Sequence, residues 1–246
     1  MANNNIYETS LFDTIKEFSG LIAKLVSGLV VLIVIFLGVG LYQSSVNGSS
    51  SIGANDTTWV PDYSFKTGKA GSKVQFVYFV DFQCSACKGN DPALIAVMDK
   101  YKDRVQFVIR NYPLTDRHPY ARVAAEAGMA VNKLNPEKFL DFKKAILAQQ
   151  EAMTPTLITQ IAKQNVTNAT EYDKVSGSIE IEKQVKRDLA FISSRNLKPS
   201  AFQDPSTKPT GTPTNVILKD GQVDSWWIGG QSLEEQSKQI DLALAK

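Results

Sequence analysis

Cys84 and Cys87 are the only cysteines in the chain, standing as Cys-Ser-Ala-Cys between an apolar run and a stretch with helical spacing. Two thiols at this separation can close and reopen a disulfide. At a helix N-terminus, free backbone N–H groups and the helix dipole stabilise a thiolate, the reactive form of cysteine. The pattern therefore proposes a nucleophile, a resolving partner and the electrostatics that activate it.

Three other readings compete with a redox dithiol. A structural zinc needs four ligands, and the chain offers one histidine, His118, besides the two cysteines, so no metal site is expected. A disulfide closing so short a loop removes little entropy from the unfolded chain, which weakens a purely structural staple. Two buried thiols could share this spacing by chance, since free cysteine is often simply buried. A dithiol on a strand–CxxC–helix unit explains more of the surrounding sequence.

The elements around the pair follow from periodicity. Val74–Phe82 (VQFVYFVDF) is a β-rich apolar run and reads as a buried strand. Residues 85–102 read as a helix whose apolar face carries Leu94, Ile95, Val97, Met98 and Tyr101, and Val105–Ile109 reads as the next strand. Strand, helix and strand in this order predict a right-handed parallel crossover. From Pro119 to about Ser194 the pattern is helical throughout, with Asn135-Pro136 and Thr154-Pro155 as helix starts. Residues 196–212 read as loop, Thr214–Lys219 and Val223–Ile228 as a hairpin turning at Asp220-Gly221, and Ser232 with Glu235 as the capping box of a last helix. Trp226 and Trp227 must then face opposite sides of the sheet, one into the core and the other as a surface contact or edge cover. The fold class is α/β, interrupted by an all-helical insertion.

These residues support a resemblance. Phe79-Val-Asp-Phe-Gln-Cys-Ser-Ala-Cys-Lys88 resembles the active-site turn of the DsbA-like branch of the thioredoxin superfamily. Asn111-Tyr-Pro-Leu114, followed by His118-Pro-Tyr-Ala-Arg-Val-Ala-Ala-Glu126, is similar to that family's step into its helical insertion. Gly211-Thr-Pro-Thr214 resembles its cis-proline loop. The resemblance spans about residues 60–246 and implies a thioredoxin fold and disulfide exchange with protein substrates. It implies Cys84 as the exposed attacking sulfur and Cys87, one turn in, as the buried resolving thiol. Thr212 and Pro213 would bind the substrate strand and keep stray metals off the thiols, with a simple loop proline as the alternative. Asp81, at the strand end, could modulate the thiols. Lys88 could favour the Cys84 thiolate or simply be solvated, and His118 suits capping or packing better than catalysis. Ser85-Ala86 departs from the Pro-His of strongly oxidising relatives, so the net direction of exchange stays open. No cofactor beyond the Cys84–Cys87 disulfide is implied.

Residues 25–42 carry no charge, and extended back to Leu21 they are long enough to cross about 30 Å of hydrocarbon as a helix. A cleaved signal peptide is the alternative, but this apolar core is longer than such signals carry. Lys16 and Lys24 precede the span, set against Glu8, Asp13 and Glu17, and no cation follows until Lys66, which places the N-terminus in the cytoplasm. The expected organisation is a cytoplasmic segment at 1–19, a transmembrane helix at 20–42, a flexible Ser/Gly/Asn-rich linker at 43–58, and a DsbA-like domain at 59–246 with its insertion at about 115–198. The net charge of +2 and the absence of like-charge blocks give no footprint for nucleic acid. The combined expectation is a single-pass, membrane-anchored, extracytoplasmic thiol–disulfide oxidoreductase. Its partners would be reduced or misoxidised protein substrates, with a quinone-linked membrane oxidase of DsbB or VKOR type implied by the resemblance. A reductase or isomerase of the same fold, or a non-catalytic thioredoxin-like holdase, are the alternatives.

Overall fold

The computed structural model describes residues 58–197 and 208–246. The expected cytoplasmic segment, the transmembrane helix and the linker up to residue 57 lie outside them, as does most of the loop before Gly211. No helix among the described residues is long and apolar enough to cross a membrane.

The apolar run before the cysteines forms the central strand of a five-stranded sheet. The strands are β1 (Phe65–Gly68), β2 (Val74–Val80), β3 (Gln106–Asn111), β4 (Thr214–Lys219) and β5 (Gln222–Ile228), in the spatial order β1-β3-β2-β4-β5. β2 and β3 are parallel and joined by helix α1 (Ser85–Tyr101), as the crossover pattern predicts, while the other pairings are antiparallel. Alternation along β2 sends Phe76, Tyr78 and Val80 to one core and Val77 and Phe79 to another. A strand buried on both faces has to be apolar at nearly every position, which is why it reads as a continuous run.

Strand β1 is absent from the sequence reading. Its four residues are too few to display alternation, and its pairing with β3 is non-local, Phe65 opposite Ile109. Gly68 ends it at φ +79°, where a Cβ would lie 2.3 Å from the Val105 carbonyl oxygen. Both constraints require glycine. Trp226 and Trp227 do face opposite sides, but both are buried, one in each core, so neither is a surface contact.

The insertion contains α2 (Ala121–Leu134), α3 (Phe139–Ala148), α4 (Pro155–Gln164), α5 (Ala169–Ser176) and α6 (Ile179–Ser193), and the chain closes with α7 (Leu233–Ala245). Thr154 caps α4 by accepting from the Leu157 N–H, and Ser232 with Glu235 forms the expected capping box of α7. Asn135 differs from expectation. Its side chain caps nothing, and Pro136 opens a single 3-10 turn, Pro136–Lys138, that leads into α3.

A buried ion pair ties the insertion to the sheet. Arg110 Nε donates to Asp188 Oδ1 at 2.8 Å, and both side chains are fully buried. Asp188 also accepts from the Asn111 N–H and the Tyr63 hydroxyl, while the guanidinium donates to the Thr58 carbonyl and stacks over Phe191. Burial raises the Asp188 pKa, with Arg110 the largest opposing influence. Removing one partner of such a pair strands the other charge. Asp188→Ala is therefore expected to cost about 3–5 kcal/mol of folding stability. The shift of the urea unfolding midpoint measures it, and a change within the error of the midpoint would contradict the assignment.

Candidate active site

Strand β2 stops at Val80 rather than Phe82 because Asp81 turns the chain. Asp81 Oδ1 accepts from the Gln83 N–H at 2.8 Å, and the Asp81 carbonyl accepts from the Cys84 N–H at 3.1 Å. This delivers Cys84 to the N-cap of α1 in an extended conformation, with helical backbone beginning at Ser85. The first turn of α1 holds no acidic side chain, so no carboxylate competes with a thiolate for its N–H groups.

The two sulfurs sit in different surroundings. Cys87 is fully buried, whereas Cys84 is 9% exposed. Cys84 is thus the accessible one, but less open than the resemblance implied, because the loop before β4 covers it. In its protonated form the Cys84 thiol donates to the Thr212 carbonyl at 3.3 Å, and the Thr212–Pro213 bond is cis. That loop is held by Thr214 Oγ1 donating to the Gly211 carbonyl and by the Gly229 N–H donating to the Pro213 carbonyl. The structure therefore gathers Cys84, Cys87, Thr212 and Pro213, separated by more than a hundred residues, into one site.

The Cys84 pKa is lowered to about 5. The Cys87 thiol contributes most, against the opposing effect of burial, and the Thr212 side chain and the Cys87 and Ala86 backbone amides add to it. Cys87 is raised well above the usual thiol range, chiefly by burial and then by its hydrogen bond to Cys84. One sulfur is a thiolate near neutrality and its partner a thiol, as a nucleophile and its reserve require.

The weaker candidates separate clearly. Ser85 and Ala86 are exposed, and Ala86 acts on Cys84 through its backbone, not its side chain. Lys88 is 41% exposed with its ammonium 3.8 Å from Glu151, the solvated alternative. The Asp81 carboxylate does not reach the thiols. It is occupied by the Gln83 and Leu114 N–H groups and by His118 Nδ1 at 2.7 Å. Only the Asp81 backbone acts on Cys87. His118 is thereby a buttress of the Asp81 turn, a pairing across 37 residues that no local motif announces.

Sequence reading missed Gln150. Its Nε2 donates to the Phe82 and Cys84 carbonyls, both at 2.9 Å, and so clamps the active-site turn from the insertion. It lies in a three-residue 3-10 turn without periodicity, so nothing local marks it. It also missed Tyr78 and Lys143, both buried and both interacting with Cys87. Among the described residues no group of three or more His, Cys, Asp or Glu side chains could hold a metal ion.

A family model described as thioredoxin matches residues 62–201, more than half of the chain. The chain belongs to the thioredoxin family. Its thioredoxin-like α/β fold carries the all-helical insertion and extends past the match through the hairpin and α7. Among curated relatives, the Na(+)/H(+) antiporter NhaA 3 of Salinispora tropica is 33% identical over 102 residues, covering 42% of this chain and 15% of that protein. The probable disulfide bond formation protein D of Bacillus anthracis is 28% identical over 131 residues, 49% of this chain and 59% of that one. The chain thus spans less than two thirds of either. Among solved structures, the catalytic domain of Proteus mirabilis ScsC superposes with a TM-score of 0.59 at 20% identity, over 78% of this chain and 94% of that one. The thiol-disulfide exchange protein alpha-DsbA2 of Wolbachia pipientis gives 0.59 at 20% identity, over 82% and 96%. At these identities the likeness establishes the thioredoxin-like fold.

The thiolate makes stability depend on pH and redox state. A group whose pKa is lowered on folding adds stability that is complete above its unfolded value, 9.0, and is lost as pH falls through about 5. Cys87, raised instead, stays protonated through that window. The disulfide form has no Cys84 thiol to titrate. The urea midpoint of the reduced domain is therefore expected to fall, relative to that of the oxidised domain, as pH drops from 9 towards 5. A difference independent of pH would contradict the assignment.

Proposed function

We propose that the protein is a DsbA-type thiol–disulfide oxidoreductase that introduces disulfides into secreted or surface proteins. The observation that carries this reading is the Cys84 thiolate, ionising near pH 5 at the N-cap of α1 and beside the Thr212-Pro213 loop. A stabilised thiolate stabilises the reduced enzyme, and a dithiol with a stable reduced form is an oxidising disulfide. A value near 5 falls between those of thioredoxin, about 7, and DsbA, about 3.5. The Bacillus anthracis relative, a probable disulfide bond formation protein, points the same way.

In the working cycle a substrate thiolate attacks the Cys84 sulfur of the disulfide. A mixed disulfide forms and Cys87 leaves. A second substrate thiolate then attacks the substrate sulfur and releases Cys84. Thr212 and Pro213 border the sulfur that carries the substrate. Reoxidation by a membrane oxidase of DsbB or VKOR type fits a domain tethered to the membrane. The apolar segment at 20–42 would supply the anchor, and the linker at 43–58 would give the domain about 20–25 Å of reach outside the membrane. Ser85-Ala86, which lacks an imidazole between the cysteines, is the feature that favours a reductase or isomerase.

Equilibration of residues 60–246 with glutathione buffers measures the reduction potential. The oxidase reading expects a value above that of protein disulfide isomerase, about −180 mV, whereas one near that of thioredoxin, about −270 mV, would assign the domain to reduction. Cys84→Ser should abolish disulfide formation in a reduced substrate protein. Unchanged activity in that variant would leave only a binding role.

A further inference from the structure

The insertion and the segment leading into it reach every residue of the active-site turn. The Asp81 carboxylate is held by the Leu114 N–H and His118 Nδ1, and Gln83 Oε1 accepts from the Tyr120 N–H at 2.8 Å. The Phe82 ring meets Phe142 edge-on, with centroids 5.7 Å apart. It packs so close to α2 that a Cβ on Gly128 would lie 3.1 Å from it. None of these contacts touches a cysteine. Gln150 does. Its Nε2 directs one hydrogen to the Phe82 carbonyl and the other to the Cys84 carbonyl, both at 2.9 Å. Both partners are acceptors, so only the amide nitrogen can face them.

The Cys84 carbonyl belongs to the residue that carries the charge, and it also accepts from the Lys88 N–H at 3.2 Å as α1 begins. Its partial negative charge opposes a thiolate on the same residue, and a donor bonded to it relieves that opposition. The Phe82 and Cys84 carbonyls converge on one spot, where they repel each other unless a donor stands between them. The clamp thus fixes Cys84 in its extended N-cap conformation, φ −77° and ψ 123°, from which the sulfur meets the Ala86 and Cys87 amides. The titratable and charged groups around the dithiol are Tyr78 on β2, Asp81 with His118, Lys88 paired with Glu151, and the Lys143–Asp91 pair between α3 and α1. Ser85-Ala86 brings no imidazole, so the thiolate depends on Cys87 and on backbone donors whose direction the turn sets.

We propose that Gln150 is a positioning residue for disulfide exchange: by clamping both carbonyls it gives the dithiol part of its oxidising strength, a contribution from the helical insertion and not from the residues between the cysteines. This rests on the oxidoreductase reading. Oxidising strength is the balance of enzyme disulfide and two glutathione thiols against enzyme dithiol and glutathione disulfide. In that exchange the Cys84–Cys87 bond breaks, a bond between two glutathione sulfurs forms, and two electrons pass to the enzyme. One glutathione proton ends on Cys87, and the other is released because Cys84 stays ionised. The clamp favours the dithiol side, since only there does Cys84 carry a charge.

Gln150→Met nearly keeps the shape of the side chain and removes both donors. In the reduced variant the Cys84 titration, followed by ultraviolet thiolate absorbance, is expected to move up by about one pH unit from its value near 5. At neutral pH the equilibrium constant against glutathione should fall about tenfold, equivalent to a reduction potential lower by about 30 mV. A purely structural clamp would weaken both redox forms alike, lowering their urea midpoints together. A variant that keeps the wild-type titration or the wild-type equilibrium overturns the proposal, whatever its urea midpoint. Should Gln150→Met fail to fold, magnetic resonance of the wild-type Gln150 side-chain amide decides. Its signal must follow the Cys84 titration in the dithiol form and stay constant over the same range in the disulfide form. An amide signal indifferent to Cys84 ionisation overturns the proposal. A wild-type potential near that of thioredoxin would instead sink the oxidase reading, and the difference between wild type and variant would still be readable.

Discussion

A negative charge has to be held on Cys84 in a place that water barely reaches. Burial alone would keep that sulfur protonated. The neighbouring features answer the problem with oriented donors, above all the Cys87 thiol and the Cys87 and Ala86 amides of α1. The donors work because they are fixed beforehand, so no reorganisation is needed when charge develops. The Asp81 turn aims the helix, and the loop before β4 closes over its end.

The helical insertion is part of this arrangement. Gln150 grips the carbonyls of Phe82 and Cys84, while Lys143 pairs with Asp91 on α1. Arg110 and Asp188 fasten the far end of the insertion to β3, with both charges fully buried. A buried pair of this kind adds little net stability over apolar residues, but it tolerates few alternative placements of the helix that bears it. The insertion therefore acts on the chemistry through positions that are rigidly referred to the sheet.

Features that depend on neighbours in the chain were readable beforehand. The two-faced strand β2, the crossover to β3, the helix starts at Thr154-Pro155 and Ser232, and the hairpin at Asp220-Gly221 all came from local periodicity and turn chemistry. Strand β1 did not, because four residues carry no period and its partner lies some forty positions away. Asn135 misled because a proline after an asparagine can open a 3-10 turn as well as an α-helix. Trp226 and Trp227 were placed on opposite faces correctly, but that one strand could be buried on both sides depended on α6 reaching the far face.

For the site, the amino-acid sequence by itself determined the dithiol and its place at a helix start, because spacing and helix termini are local properties. It also pointed to Thr212 and Pro213, through the resemblance of their loop to a known family. What the tertiary structure alone decided is which groups surround each sulfur. Gln150 and Cys84 are 66 residues apart, Lys143 and Asp91 are 52, and Arg110 and Asp188 are 78. Ionisation depends on distance and desolvation in space, and neither is written in the order of residues. The sequence therefore named the two thiols, and the packing of the insertion and the Thr212 loop made one of them a thiolate and the other a thiol.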